Sequence, residues 1–414
     1  MIHKMIHKRI LIFCSLVLWI TPCIFAQEIQ YPKPCYEGEE LTKVRQWEKI
    51  WGGKKIDNIN IEQVKDLLPE SLYNVMKDTK RWGEHWFKIV PYRSYQIPPG
   101  RVKYTREGRC KIGPKEELLN WIAGVPFPEP QNGLEVAWNF DCWSRGDASY
   151  KDILGYSVDA NFGYDRKAGE YGWIMHFAGR CDVPPTPEIY NPKGIYRATY
   201  YEIYTPPESK GALTLIIRYK NREKAHDIWC WIPSLRKVRR LSTAQRTETL
   251  GSMDAIWDDD YGWDGNINRQ TYKLLGRKEL LLSRHQDINA LKRKEGGCIY
   301  DGVQRERIKV YVVEAVCRDP GYVYSKSIWY VDPELWHITY AEKYDKDGRF
   351  WKIIEHYQDV RPGYKGTEDA EFVASMYLDC QRLHSSNTLV PEVKLGIEPS
   401  LGIFSSSNFE KRGR

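Results

Sequence analysis

Residues 227–240, DIWCWIPSLRKVRR, decide the fold. Ile228, Trp229, Cys230, Trp231 and Ile232 form an uninterrupted bulky apolar run of strand length, and both faces of such a strand must meet apolar surface. Pro233 and Ser234 break the run, after which 235–241 carry Arg236, Lys237, Arg239 and Arg240 around Val238. The reading is a hairpin with an apolar arm and a cationic arm. A sheet surfaced with tryptophan can hold an apolar ligand, and a basic arm can face an anionic headgroup or a membrane surface.

Working outward, the rest of the chain has the same texture. Its 414 residues are 42% hydrophobic and include 16 tryptophans and 28 tyrosines, residues that favour half-buried strands. That content, with a mean hydropathy of −0.59, supports a large core and excludes a membrane-spanning bundle. Strands are predicted over 153–162, 173–178, 196–203, 212–219, 226–232, 237–241, 274–283, 308–317, 324–331, 336–344, 350–360 and 372–382. The clearest are three within SIWYVDPELWHITYAEKYDKDGRFWKIIEHYQDV (327–360), joined by turns at Asp332-Pro333-Glu334 and Asp345-Lys346-Asp347-Gly348. Antiparallel neighbours follow from such short connections.

Before residue 140 the pattern is helical. Val64, Leu67, Leu68, Leu72, Val75 and Met76 recur at helical spacing, with Pro69 splitting the run into two short helices. Further helices are predicted over 115–122 and 133–138. At the other end, 386–414 is rich in serine, proline and charge and reads as a disordered tail.

Lys4, Lys8 and Arg9, an apolar run over 10–20 and Ala26 read as an export signal over 1–26, with the mature chain beginning at Gln27. The alternative is a lipidated Cys23, although Pro22 beside it fits such a site poorly. The domain reading is then one domain over 27–385, helical over 27–145 and antiparallel over 146–385. Removing 1–26 takes away three basic and no acidic residues, so the net charge falls from +7 to +4. That mild, interleaved charge and the export signal argue against a nucleic-acid partner. Eight cysteines remain, none in CxxC spacing; disulfides and buried thiols both stay open.

The segment IWCWIPSLRKVRRLSTAQRTETLGSMDAIWDDDYGWDG (228–265) resembles the signature of the DUF1329 family and of related outer-membrane lipoprotein-sorting proteins of the LolA and LolB type. Trp229, Trp231, Pro233, Arg236, Val238, Arg239 and Arg240 occupy its hairpin positions, with Trp231 where tyrosine is common and Lys237 where arginine is common. NWIAGVPFPEPQNGLEVAWN (120–139) and QVKDLLPESLYNVMKD (63–78) resemble a second hallmark and the family's leading helix, in family order. The resemblance implies an α+β, mainly antiparallel fold: a large curved half-barrel sheet of the LolA/LolB kind, with helices covering its concave side. It also implies a periplasmic, non-enzymatic carrier of lipid, lipoprotein or other hydrophobic cargo, working with an inner-membrane transporter or at the outer-membrane surface.

The physical basis is direct. Each methylene leaving water contributes roughly 0.8 kcal/mol, so an apolar cavity can extract an acyl chain without covalent chemistry. Same-face pairs on the apolar strands are the candidate lining: Trp229 and Trp231, Leu215 and Ile217, Val310 and Val312, Ile328 and Tyr330. Ordinary core packing predicts the same pattern. Arg236, Arg239 and Arg240 are candidates to face a headgroup or membrane, or else form a solvated strand face.

No catalytic residue, cofactor or metal ligand is assigned. The 258–266 stretch lacks the ordered ligands of a calcium loop and reads as a hydrated acidic turn. No nucleophile or phosphate motif occurs, and among the seven histidines of the mature chain no two stand at i, i+4 helical spacing. Glu355 with His356, or Asp141 with His176, could meet only through the fold. Two alternatives to the carrier remain: an outer-membrane interaction module with a filled interior, and a hydrolase acting on an apolar substrate.

Overall fold

A computed structural model of the chain describes residues 31–158, 163–250, 253–293 and 298–412. The export signal expected over 1–26 lies outside the described residues. No helix among the described residues is long and apolar enough to cross a membrane.

The N-terminal part supplies helices α1 (Gly38–Trp51), α2 (Glu70–Lys77), α3 (Thr79–Trp82) and α4 (Pro99–Glu107), and strands β1 (Lys55–Asp57), β2 (Trp86–Ile89), β3 (Lys111–Ile112) and β4 (Leu118–Leu119). Pro69 does split its run. Leu68 before it is extended, as a pre-proline residue prefers, and Pro69 opens α2 after a 3₁₀ turn over Ile61–Leu67. The helix expected over 115–122 is instead the β3–β4 hairpin. Glu116 and Asn120 take left-handed φ of 62° and 60°, and Ile122 stays 62% exposed, so the segment has no apolar face to bury as a helix.

After α5 (Gly133–Asp141) come β5 (Ala148–Val158), β6 (Tyr164–His176), β7 (Ile195–Thr205), β8 (Leu213–Tyr219), β9 (Asp227–Ile232) and β10 (Lys237–Leu241). They continue as β11 (Gln270–Leu282), β12 (Val303–Cys317), β13 (Lys326–Val331), β14 (Ile338–Tyr344), β15 (Phe350–Pro362), β16 (Glu368–Asp379) and β17 (His384–Leu395), ending in α6 (Phe409–Arg412). Fifteen strands form one sheet in the order β1-β2-β12-β13-β14-β15-β16-β17-β5-β6-β7-β8-β9-β10, with β11 beside β12. Every pairing in it is antiparallel except the short β2–β12 contact. The sheet is curved and unclosed, a half-barrel.

The opening hairpin is β9–β10. Trp231 faces Val238 and Trp229 faces Arg240 across it, and Arg236 closes the turn with a left-handed φ of 48°. The β13–β14–β15 meander also forms, with Gly348 at φ 77° and the Asp345 carboxylate accepting the N–H groups of Asp347 and Arg349 in its second turn.

The predicted disordered tail is corrected by β17, which lies in the middle of the sheet between β16 and β5. Its polar residues are buried because each hydroxyl finds a partner. Ser385 donates to the Cys298 carbonyl, Ser386 to Asp254, and Thr388 shares a hydrogen bond with Ser375. A register shift between Leu389 and Glu392 accommodates Pro391, which has no N–H to give the ladder. Beyond it, Ile403, Phe404 and Phe409 are buried against Leu215 and Trp231.

Both sheet faces are covered. On one, Val310, Val312, Ile328, Tyr330, Ile353 and Met376 pack against Val44, Leu68, Leu72, Val75 and Met76 of the N-terminal helices. On the other, Tyr311, Val313, Trp329, Ile354 and Phe372 pack against Val136, Ala137, Trp138 and Phe140 of α5 and against Tyr261, Trp263 and Ile267. These two layers follow from alternation along β12 to β16, interrupted by register shifts that put Ile338 and Tyr340, and Phe372 and Ala374, in opposite layers.

Candidate functional site

On the helix-covered face, where α2 packs on the sheet through Leu72, Val75 and Met76, a groove of about 900 Å³ opens beside that contact. Leu68, Val75 and Trp82 form its helix wall, and Leu280, Val312, Ile328, Tyr330, Tyr344 and Phe350 its sheet wall. Gly276 borders it at a register shift in β11, with φ 129° and open space where a side chain would stand. The volume lies within the roughly 300–1,000 Å³ range of sites that take small ligands. Glu70, Asp78, Arg81, Arg277 and Lys278 add charge to its lining.

One carboxyl lies among the apolar walls. Glu342 is 6% exposed; Ser71 Oγ donates to its Oε1 at 2.5 Å and Tyr344 to its Oε2 at 3.3 Å. Burial pushes this carboxyl above the usual carboxylate range, against the lowering pull of those two hydrogen bonds. The groove therefore offers apolar wall patches bordered by charged and polar side chains, with one buried carboxyl among them.

Of the lining residues expected from sequence, Val312, Ile328 and Tyr330 come together here. Val310 is fully buried in the same cluster, beneath the groove wall. Leu215, Ile217, Trp229 and Trp231 lie on the β8–β9 part of the sheet, where Ile403, Phe404 and Phe409 cover them, so they do not join the groove. Arg236 and Arg239 are exposed on the turn and on edge strand β10; Arg240 pairs with Asp227 and lies 5.5 Å from the Trp229 ring. Exposed cations on an edge strand also discourage strand pairing between copies. Sequence reading missed Leu68, Val75, Trp82 and Glu342. Leu68 and Val75 were visible among the helical apolar repeats, but nothing local marks which of those repeats fills the core and which borders a gap.

The opposite face overturns the hydrated acidic turn. Asp258, Asp259 and Asp264 are all buried, each held by strand or loop cations. Arg197, Arg218 and Arg246 pair with Asp264, Arg246 and Arg269 with Asp258, and Lys343 with Asp259. Charges this deep persist only when paired. The aspartates are thus the inner surface of a plug, with Tyr261 and Trp263 anchoring it in the apolar layer.

Neither acid–base pair raised from sequence forms. Glu355 is bidentate to Arg305 on the helix-covered side, whereas the neighbouring His356 points to the plug side beside Tyr261 and Phe372. Asp141 pairs with Arg218 and Arg222 rather than with His176.

Burial, together with His337, Lys151, Lys343 and Arg145, pushes His356 down to about 3. The unfolded ring takes its proton near 6.5 and the folded ring does not, so this residue's contribution falls as pH drops through 6.5 and keeps falling towards 3. Relative to a His356→Gln variant, the wild type is expected to lose about 2 kcal/mol more stability between pH 7 and pH 5. Urea unfolding of both proteins at the two pH values checks this; equal losses would contradict it.

The fold and groove define the class: an open half-barrel built on one large sheet, with a groove beside the helices on one face and an acidic, aromatic loop plugging the other. The DUF1329 family model, described as a protein of unknown function, matches residues 55–394, and the chain belongs to that family. An uncharacterized protein of Pseudomonas aeruginosa is 25% identical over 345 residues, covering 77% of this chain and 73% of that protein. A DUF1329 family protein from Desulfovibrio piger is similar in structure, with 15% identity, a TM-score of 0.48, and coverage of 66% of this chain and 96% of the other. A LolA superfamily protein from Nitrosomonas europaea has 15% identity and a TM-score of 0.38, covering 63% and 91%.

Proposed function

We propose that this protein is a periplasmic, non-enzymatic carrier that holds the acyl part of a lipid or lipoprotein in the groove between α2–α3 and the β11–β14 face, and passes it to or from a membrane transporter. The observation that carries this reading is the groove itself, open space of about 900 Å³ in which Leu68, Val75, Trp82, Val312, Ile328 and Tyr330 form apolar wall patches. Moving an acyl chain from water onto those walls gains roughly 0.8 kcal/mol per methylene, with no bond made or broken. Val312, Ile328 and Tyr330 contact the chain, and Glu342 with Ser71 receives a hydroxyl, amide or carboxyl group carried by the cargo. Arg236 and Arg239 turn edge strand β10 towards an anionic membrane surface.

The test uses uptake of a fluorescent fatty acid by the full chain. Ile328→Trp places an indole in the slot and is expected to weaken uptake at least about ten-fold while the thermal midpoint stays within a few degrees, since the side chain enters open space. Unchanged uptake in the folded variant would remove the groove as the cargo site. In the same assay, anionic vesicles should deliver fatty acid more slowly to Arg236→Glu/Arg239→Glu than to wild type, and neutral vesicles at the same rate. Equal delivery from both would remove the basic arm from the account.

A further inference from the structure

On the plug side, away from the groove, the ion pairs do not balance. Arg197, Arg218, Arg222, Arg246 and Arg269 are linked by direct contacts to three acids, Asp141, Asp258 and Asp264. The carboxylate oxygens facing Arg246 are already engaged. Asp258 Oδ1 accepts from Arg246 Nε at 2.5 Å, and Oδ2 from Arg269 at 2.8 Å and Tyr322 at 3.1 Å. Asp264 Oδ1 accepts from Arg197 at 2.7 Å, and Oδ2 from Arg246 Nη2 at 3.1 Å. Arg246 Nη1 has no hydrogen-bond partner among the described residues, although the residue is only 3% exposed. A further acid of the plug, Asp260, lies among Arg197, Lys151 and Arg145.

A pocket of about 330 Å³ opens on this arginine. His226, Asn266, Asn268 and Arg269 line it with Arg246, and His226 Nδ1 is a second buried nitrogen without a hydrogen-bond partner among the described residues. Its one acidic wall residue, Glu223, is exposed and lies 3.6 Å from Lys115. Burial with the adjacent Arg218 and Arg246 pushes His226 well below the usual histidine range, so the ring is neutral and the positive charge is that of the arginines. Buried guanidinium with a spare N–H, excess positive charge and amide donors around a small cavity is what a tetrahedral oxyanion requires.

We propose that this pocket binds a phosphate-type oxyanion, with Arg269 and Asn268 as its direct donors and the buried Arg246 guanidinium beneath them supplying positive potential. The ligand is a free phosphate or the phosphomonoester headgroup of a lipid. This site shares no residue with the groove and stands independently of the carrier reading.

Titration calorimetry of the full chain with inorganic phosphate at low ionic strength tests it, since screening weakens such contacts. Saturable binding in the millimolar range or tighter is expected, with a matching rise in thermal midpoint. Arg246→Gln unpairs two buried aspartates and can fail to fold, so the informative variant is Asn268→Asp. Its carboxylate takes the place of the ligand: phosphate affinity should fall at least about ten-fold while the phosphate-free midpoint is equal or higher. Displacement of phosphate by soluble dihexanoyl phosphatidic acid identifies a headgroup, and lack of displacement a free anion; either supports the pocket. No saturable phosphate binding by the wild type, or equal binding by Asn268→Asp, would overturn it.

Discussion

Asp264→Ala is expected to destabilise the protein by about 3–5 kcal/mol, enough to leave much of the chain unfolded at physiological temperature. Asp264 sits on the plug loop and pairs with Arg197 on β7, Arg218 on β8 and Arg246. Against the raising effect of burial, Arg218, Arg197 and Arg246 hold its carboxyl well below the usual range. Removing it leaves three guanidinium groups buried with fewer acceptors than donors. Replacing the set by apolar residues would be far milder, because the cost lies in the orphaned charge. Urea unfolding followed by tryptophan fluorescence gives the number; a loss below about 1 kcal/mol would mean that water reaches these arginines and the plug is not sealed.

Deletion of residues 396–414 is the second large effect, on the order of 5 kcal/mol. Ile403, Phe404 and Phe409 are buried against Leu215, Tyr200 and Trp231. Each such side chain contributes roughly 1.5–3 kcal/mol on burial, an upper bound because the unfolded chain is itself partly compact. The truncated protein should unfold at lower urea, with Trp231 emission shifted to the red in the folded state. An unchanged midpoint and spectrum would show that the C-terminal segment only rests on the sheet.

That deletion also marks where sequence reading and structure part. Strands from 153 to 382 were legible because their apolar residues are bulky, β-branched or aromatic and bounded by strong turn residues, as at Asp345–Gly348. The polarity of β17 hid it: Ser385, Ser386 and Thr388 belong to a buried strand only because Cys298, Asp254 and Ser375 supply partners from distant positions. The same holds for the plug. A run of aspartates reads as solvated until Arg197, Arg218 and Lys343 arrive from strands more than forty residues away. Helix α1 carried a readable signal, with Leu41, Val44, Trp47 and Trp51 on one side, and went unread beside the stronger strand pattern.

The groove was half legible. Val312, Ile328 and Tyr330 were named from alternation alone, and that same alternation named Trp229 and Trp231, which the C-terminal segment covers instead. Periodicity shows which face a residue takes but not whether helix, tail or empty space lies opposite. Glu342 shows the limit most plainly. Nothing in ITYAEKY distinguishes a surface glutamate from one enclosed beneath Ser71.

The claim on which the functional account stands is that open space between α2–α3 and the sheet receives an acyl chain. Native mass spectrometry of the full-length protein, purified gently from its own cells and then mixed with a long-chain fatty acid, tests it most directly. One acyl-bearing molecule per chain is expected on the wild type, from the cell or after mixing, and none on Ile328→Trp. A wild type that stays empty in both states, or a variant loaded to the same extent, would contradict it.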